Sequence, residues 1–163
     1  MFFALAGLVV TLDQLIKIYI HTNFQLHESR TVINGFFDLT YVRNPGAAFG
    51  FLASAAPGFR EIFFLSIPPI ALLIIVGILR GVKNTDLISI NSLALVFGGA
   101  LGNYIDRLRF KFVIDFLDFY FIKGFEKVAW PAFNIADMAI VGGISIFVFL
   151  ELTQKKTSHG ETV

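Results

Sequence analysis

The stretch "FNIADMAIVGGISIFVFLEL" occupies Phe133 to Leu152. It is apolar almost throughout and as long as the ~20 residues a helix needs to cross a bilayer. Yet it carries Asp137 close to its start. An Asp at the middle of a membrane helix costs about 2.5–3.5 kcal/mol even on the gentlest scale, so an ionisable residue there is a functional candidate. Pro131 suits the first turn of a helix. A start at Pro131 would place Asp137 roughly 9 Å below it, at ~1.5 Å per residue.

Three more blocks of the same kind precede this one. Together they predict spans over residues 2–20, 62–79, 87–105 and 131–152. The composition agrees: 56% of the 163 residues are hydrophobic, 20 are Phe, and only 15% are charged, against about 25% in a soluble domain. Residues 1–153 therefore read as one integral membrane domain, and 154–163 as a disordered cytoplasmic tail. The first block, "FFALAGLVVTLDQLIKIYI", reads as a retained helix rather than a signal peptide: it lacks a basic leading region and holds Asp13 and Lys17 internally. Pro68-Pro69 should kink the second. In the long connection after the first span, Thr31 to Val42 mixes β-branched and aromatic residues around Asn34-Gly35, which reads as short strands.

Some chemistries are excluded at once. The net charge is +1, which gives no pull toward nucleic acid. There is no Cys, hence no disulfide and no thiolate nucleophile. His21, His27 and His159 are scattered without ligand spacing, so no metal and no cofactor are expected. Four spans put both termini and the loop Arg80 to Asp86 on one side. That side has Arg80, Lys83, Lys155 and Lys156 in few residues; the long connections carry more basic residues, but sparsely. Short loops obey the charge rule better than long ones, so the short loop is expected to be cytoplasmic.

Asp13 and Lys17 are four apart and share a helical face. They read as a neutralising pair with Lys17 snorkelling to water, as one wall of a polar site, or as both at once. "GGALGNYIDRL" (Gly98 to Leu108) closes the third span. Its G-x-x-x-G fits close helix packing, which requires neither Asn103 nor Asp106 nor Arg107. "VIDFLDFYF" (Val113 to Phe121) adds Asp115 and Asp118 in a stretch too apolar for an exposed loop, and reads as lying at the membrane surface. Asn134 and Asp137 are three apart, on one face. All these groups fall near one membrane boundary. Clustered carboxylates and amides there fit water activation by an acid pair. They also fit a proton relay in a small carrier, although a carrier should show an internal repeat and a midplane carboxylate.

Five motifs, in order, resemble the lipoprotein signal peptidase family (signal peptidase II): "DQLIK" (Asp13 to Lys17), "RNPGAAFGFL" (Arg43 to Leu52), "GGALGNYIDR" (Gly98 to Arg107), "VIDF" (Val113 to Phe116) and "FNIADM" (Phe133 to Met138). The resemblance implies an aspartic endopeptidase of the bacterial inner membrane. It would remove signal peptides from diacylglyceryl prolipoproteins on the amino side of the lipidated Cys, at the outer face. It implies an all-α membrane fold with four helices, a small extracytoplasmic β-sheet cradle over Thr31 to Leu52, and a loop over the site at Phe116 to Trp130. Carried onto this chain, the catalytic pair is Asp115 and Asp137. Asn44, Asn103, Arg107 and Asn134 bind and orient the substrate, and Asp13, Lys17, Gly46 and Asp106 support the site. The implied partners are prolipoprotein substrates, membrane lipid and the family's cyclic peptide inhibitors, with the enzyme acting as a monomer.

Overall fold

Helices and strands follow in the order α1 (Phe2–Asn23), β1 (Ser29–Ile33), β2 (Phe37–Asn44), α2 (Pro57–Gly81), α3 (Leu87–Phe110), β3 (Val113–Lys123), β4 (Glu126–Ala129) and α4 (Ile135–Gly160). The computed structural model describes residues 1–46 and 54–160. Residues 47–52 of the "RNPGAAFGFL" motif and the last three residues of the tail lie outside that description. All four helices are long and apolar enough to cross a membrane, over Phe2–Asn23, Gly58–Gly81, Leu87–Phe110 and Ile135–Thr153. α2 runs through Pro68 and Pro69 as one helix. α4 is continuous from Ile135 to Gly160.

α3 is the central helix. α1 and α4 pack closely on it, and α2 makes its main contacts with α3 alone. Missing side chains on α3 make this possible. A Cβ on Gly98 would meet Ala6 O of α1 at 2.8 Å, and one on Gly102 would meet Asp13 Oδ2 at 2.8 Å. A Cβ on Gly99 would run into Ala136 O and lie 2.8 Å from Ile140 Cγ1, both of α4. The G-x-x-x-G therefore serves α1, and the glycine between serves α4. Without a hydrophobic drive between helices in lipid, such close backbone approach carries the packing. At the start of α3, Asp86 caps the helix by accepting from Ser89 N at 3.0 Å, worth about 1 kcal/mol. At its end Lys111 is left-handed, φ 66°.

The four strands form one antiparallel run, β1-β2-β3-β4. The turn predicted at Asn34-Gly35 is present, with Gly35 at φ 77°. The segment Phe116 to Trp130, expected to lie over the site as a loop, instead pairs into this sheet as most of β3 and all of β4. The reason is backbone satisfaction. Much of β3 is buried away from water, where unpaired N–H and C=O groups are costly, and the free edge of β2 supplies partners for β3 from Phe37↔Phe119 to Asn44↔Val113. Phe37, Phe119 and Phe133 stack on one another, at centroid distances of 4.7 and 5.7 Å.

Candidate active site

The first turn of α4 explains Asp137. The helix begins at Ile135 rather than Pro131, because Phe133 is held in a bridge with Leu117 of β3. Phe133 O accepts from Phe116 N and Leu117 N at 3.0 and 2.8 Å, and Phe133 N donates to Leu117 O at 3.1 Å. Asn134 then caps the helix: its Oδ1 accepts from Asp137 N at 2.9 Å, while Asp137 Oδ2 accepts from Asn134 N at 3.3 Å. This reciprocal pair is a capping box. Asp137 is therefore in the first turn, where a carboxylate is favoured by the helix dipole. The depth expected from Pro131 is corrected accordingly.

Asp115 reaches the same place from β3. It is 1% exposed. Its Oδ1 accepts from Asn134 Nδ2 at 2.6 Å and its Oδ2 from Asn44 Nδ2 at 3.0 Å. Asn134 thus joins the two acids, bonding Asp115 with its amide nitrogen and Asp137 with its amide oxygen and backbone. Asp137 Oδ1 accepts from Asn103 Nδ2 of α3 at 2.7 Å. Burial pushes the Asp115 carboxyl up to about 7, and the Asp137 charge adds to the rise; the bonds from Asn44 and Asn134 and the Lys17 charge oppose it without cancelling it.

Beneath the acids lies a buried ionic cluster. Lys17 Nζ is 2.8 Å from Asp13 Oδ2, 2.9 Å from Asp106 Oδ2 and 2.8 Å from Asn103 Oδ1. At 1% exposure it does not snorkel, and the Asp13–Lys17 face lines a polar site. The cluster braces both acid-bearing segments. Asp13 Oδ1 accepts from Ala136 N at 3.0 Å, beside Asp137. Asp106 Oδ2 accepts from Ile114 N at 3.1 Å, beside Asp115. Gln14, which the sequence did not single out, donates to Asp106 Oδ1 at 2.8 Å and to Gly102 O at 3.1 Å. A polar residue next to Asp13 in an apolar span was the signal for it.

Arg107 lies at the rim. It donates to Asn103 O at 3.3 Å and to Gly46 O at 3.2 Å, and its guanidinium stacks over Phe64 of α2 at 4.7 Å. It borders a cavity of about 120 Å³ that is also lined by Pro45, Arg60, Phe64 and Lys111. Gly46 N in turn donates to Asn44 Oδ1 at 3.0 Å. Asp118, by contrast, sits elsewhere on the sheet. It faces Asp38 across the strands, and like charges so placed repel. Lys127 of β4 bridges them at 2.8 and 2.9 Å. Burial alone would lower the Lys127 ammonium, but its bonds to Asp118 and Asp38 outweigh that and hold it above its ordinary value. Among the described residues no three His, Asp or Glu side chains converge as a metal site requires.

The profile of the family described as Signal peptidase (SPase) II matches residues 5–153. The lipoprotein signal peptidase of Syntrophus aciditrophicus is 50% identical over 156 residues, which is 96% of this chain and 94% of that protein. The lipoprotein signal peptidase of Moorella thermoacetica is 48% identical over 145 residues, 89% of this chain and 88% of that one. A bacterial membrane enzyme solved by the in meso method superposes with a TM-score of 0.81 at 34% identity, covering 99% of this chain and 92% of its own.

Proposed function

The chain belongs to the signal peptidase II family, and is an enzyme acting on peptide bonds; from that premise we propose that it removes signal peptides from diacylglyceryl prolipoproteins by aspartic catalysis. Cleavage falls on the amino side of the lipidated Cys, at the outer face of the bacterial inner membrane. The observation that supports this most is the pairing of two carboxylates, Asp115 and Asp137, by one asparagine at the end of the bundle. Two acids joined through one asparagine in a low-dielectric site share a proton and titrate as a unit. Asp115, whose carboxyl is raised to about 7, holds that proton and gives it to the scissile carbonyl oxygen. Asp137 takes a proton from water as the water oxygen attacks the carbonyl carbon. When the C–N bond breaks, the proton on Asp137 passes to the departing Cys nitrogen.

The remaining residues divide by what they touch. Asn103 and Asn134 aim the acids. Arg107 has more N–H donors than its two backbone bonds use, and it receives substrate carbonyls beside Asn44. Asp13, Lys17, Asp106 and Gly46 hold these groups in place. The apolar helix surfaces take the acyl chains, at about 0.8 kcal/mol per buried CH₂. The protein acts as a monomer, and a cyclic peptide inhibitor of the family competes for the same acids. The test is incubation of purified protein with a diacylglyceryl prolipoprotein, read on a gel and by mass of the product. The expected product begins at the lipidated Cys. An uncut substrate, or equal cutting of the unlipidated precursor, would overturn the proposal.

The same reading sets the topology. Residues 80–86 face the cytoplasm, and the sheet and acids face outward. Because the chain has no Cys, single substitutions report directly. In intact cells an impermeant thiol reagent should label Asn34→Cys and spare Lys83→Cys; the reverse pattern would invert the topology.

A further inference from the structure

Three asparagines surround the acid pair, and each is held one way round by a group that can only donate. Asn44 Oδ1 accepts from Gly46 N at 3.0 Å, and Asn134 Oδ1 from Asp137 N at 2.9 Å. Asn103 Oδ1 accepts from Lys17 Nζ at 2.8 Å. A backbone N–H and an ammonium offer no acceptor, so in each case the amide NH₂ is turned away from the donor. In each case it then points at a carboxylate: Asn44 and Asn134 at Asp115, Asn103 at Asp137. Two of these locks are local, made by backbone within three residues. The third is made by a side chain of another helix, 86 residues away in sequence.

We propose that Lys17 is a positioning residue for the reaction: by donating to Asn103 Oδ1 it fixes the Asn103 amide so that Asn103 must donate to Asp137. This rests on the assignment of Asp115 and Asp137 as the acid pair. The other two donors of Lys17 go to Asp13 and Asp106, which hold the ammonium under Asn103. Remove the ammonium and the Asn103 amide is able to turn over. Its oxygen then faces Asp137, and two acceptors repel unless Asp137 takes a proton. The base is thereby lost over part of the working pH range. The charged groups facing this network are Asp13 and Lys17 from α1, Asp106 and Arg107 from α3, Asp115 from β3 and Asp137 from α4.

The test compares kcat–pH profiles for wild type, Asp13→Asn, Lys17→Met/Asp13→Asn and Lys17→Arg. In the double variant one buried carboxylate remains in the cluster, Asp106, so its net charge of −1 equals that of Asp13, Asp106 and Lys17 together. A change from the wild-type profile then does not come from the cluster's net charge, and Asp13→Asn shows how much of it comes from position 13 alone. The expected result is a kcat lowered about tenfold or more with KM little changed, as for an interaction made in the transition state. The acid limb should move to higher pH, and Lys17→Arg should restore much of the wild-type profile. A double variant that matches Asp13→Asn in kcat and profile overturns the proposal. If the double variant does not fold, wild-type enzyme labelled with ¹⁵N-asparagine decides. The Asn103 side-chain amide must move with the acid limb, and a resonance fixed across that limb overturns the proposal. Activity surviving in Asp115→Asn or Asp137→Asn would instead remove the acid pair itself, an outcome separate from an unmoved Lys17 profile.

Discussion

Asp115→Asn and Asp137→Asn should each abolish cleavage of a diacylglyceryl prolipoprotein, with a fall of about 10³-fold or more. Each substitution keeps the shape of the side chain and removes its proton chemistry. At position 137 an Asn still has an oxygen to accept from Asn134 N, so the cap on α4 survives, but its NH₂ then faces the Asn103 NH₂ and that bond is lost; the protein should stay folded and melt somewhat below the wild-type temperature. On the proposed joint action of the two acids, Asp115→Asn/Asp137→Asn should be hardly worse than either alone. Asp118→Asn is the internal control. It lies three residues from Asp115 but bonds Lys127 on the sheet, and it should retain most activity. The wild-type profile should also bend: Asp115, raised to about 7 by burial, is protonated below that pH and ionises above it. The rate should therefore fall about tenfold per pH unit once pH exceeds roughly 8. A dead Asp118→Asn beside an active Asp115→Asn would mean the wrong acid has been assigned.

The second large effect is expected at Gly99. Its Cβ would collide with Ala136 O of α4, a backbone atom that no rotamer change can move. Overpacking of this kind costs about 1–3 kcal/mol. Here the damage goes beyond stability, because Ala136 N is the group held by Asp13 and Asp137 is the next residue. A shift of about 1 Å in a reacting group is enough for a 10²-fold loss. Gly99→Val should therefore lower the melting temperature and cut kcat about a hundredfold. Gly77→Val, where nothing lies within 4 Å of the added carbon, should do neither. Equal activity in the two variants would show that the α3–α4 contact does not set the position of Asp137.

What could be read from the chain alone follows the range of the interactions concerned. The four spans were legible because sustained hydrophobicity is a local property. The hairpin at Asn34-Gly35 was legible because turn chemistry is local too. The pairing of Asp13 with Lys17 followed from a spacing of four. Their partners Asp106 and Asn103 lie on another helix, and nothing near Lys17 in sequence announces that its ammonium is surrounded rather than snorkelling. The start of α4 was misplaced for the same reason. Pro131 satisfies the rules for a first helical residue, but Phe133 is claimed by Leu117 of β3, and that bridge pulls residues 131–133 out of the helix. Once the start moves to Ile135, Asp137 changes from a buried expense into the first-turn partner of the Asn134 cap. The aromatic stretch after Asp115 looked interfacial because no single segment shows whether a neighbouring strand edge is available to it.

The bond from Asp13 Oδ1 to Ala136 N spans 123 residues and joins the first membrane helix to the last. It has a consequence for how the enzyme comes into being. While the chain is still being made, α1 carries a charged pair whose carboxylate has no helix end to receive, and α3 has no Asp137 for its asparagine. The acid pair does not exist in any form until α4 has been inserted and its first turn has closed against β3. On the proposed mechanism, a chain cut short before its fourth helix lacks one of the two acids and should be inert.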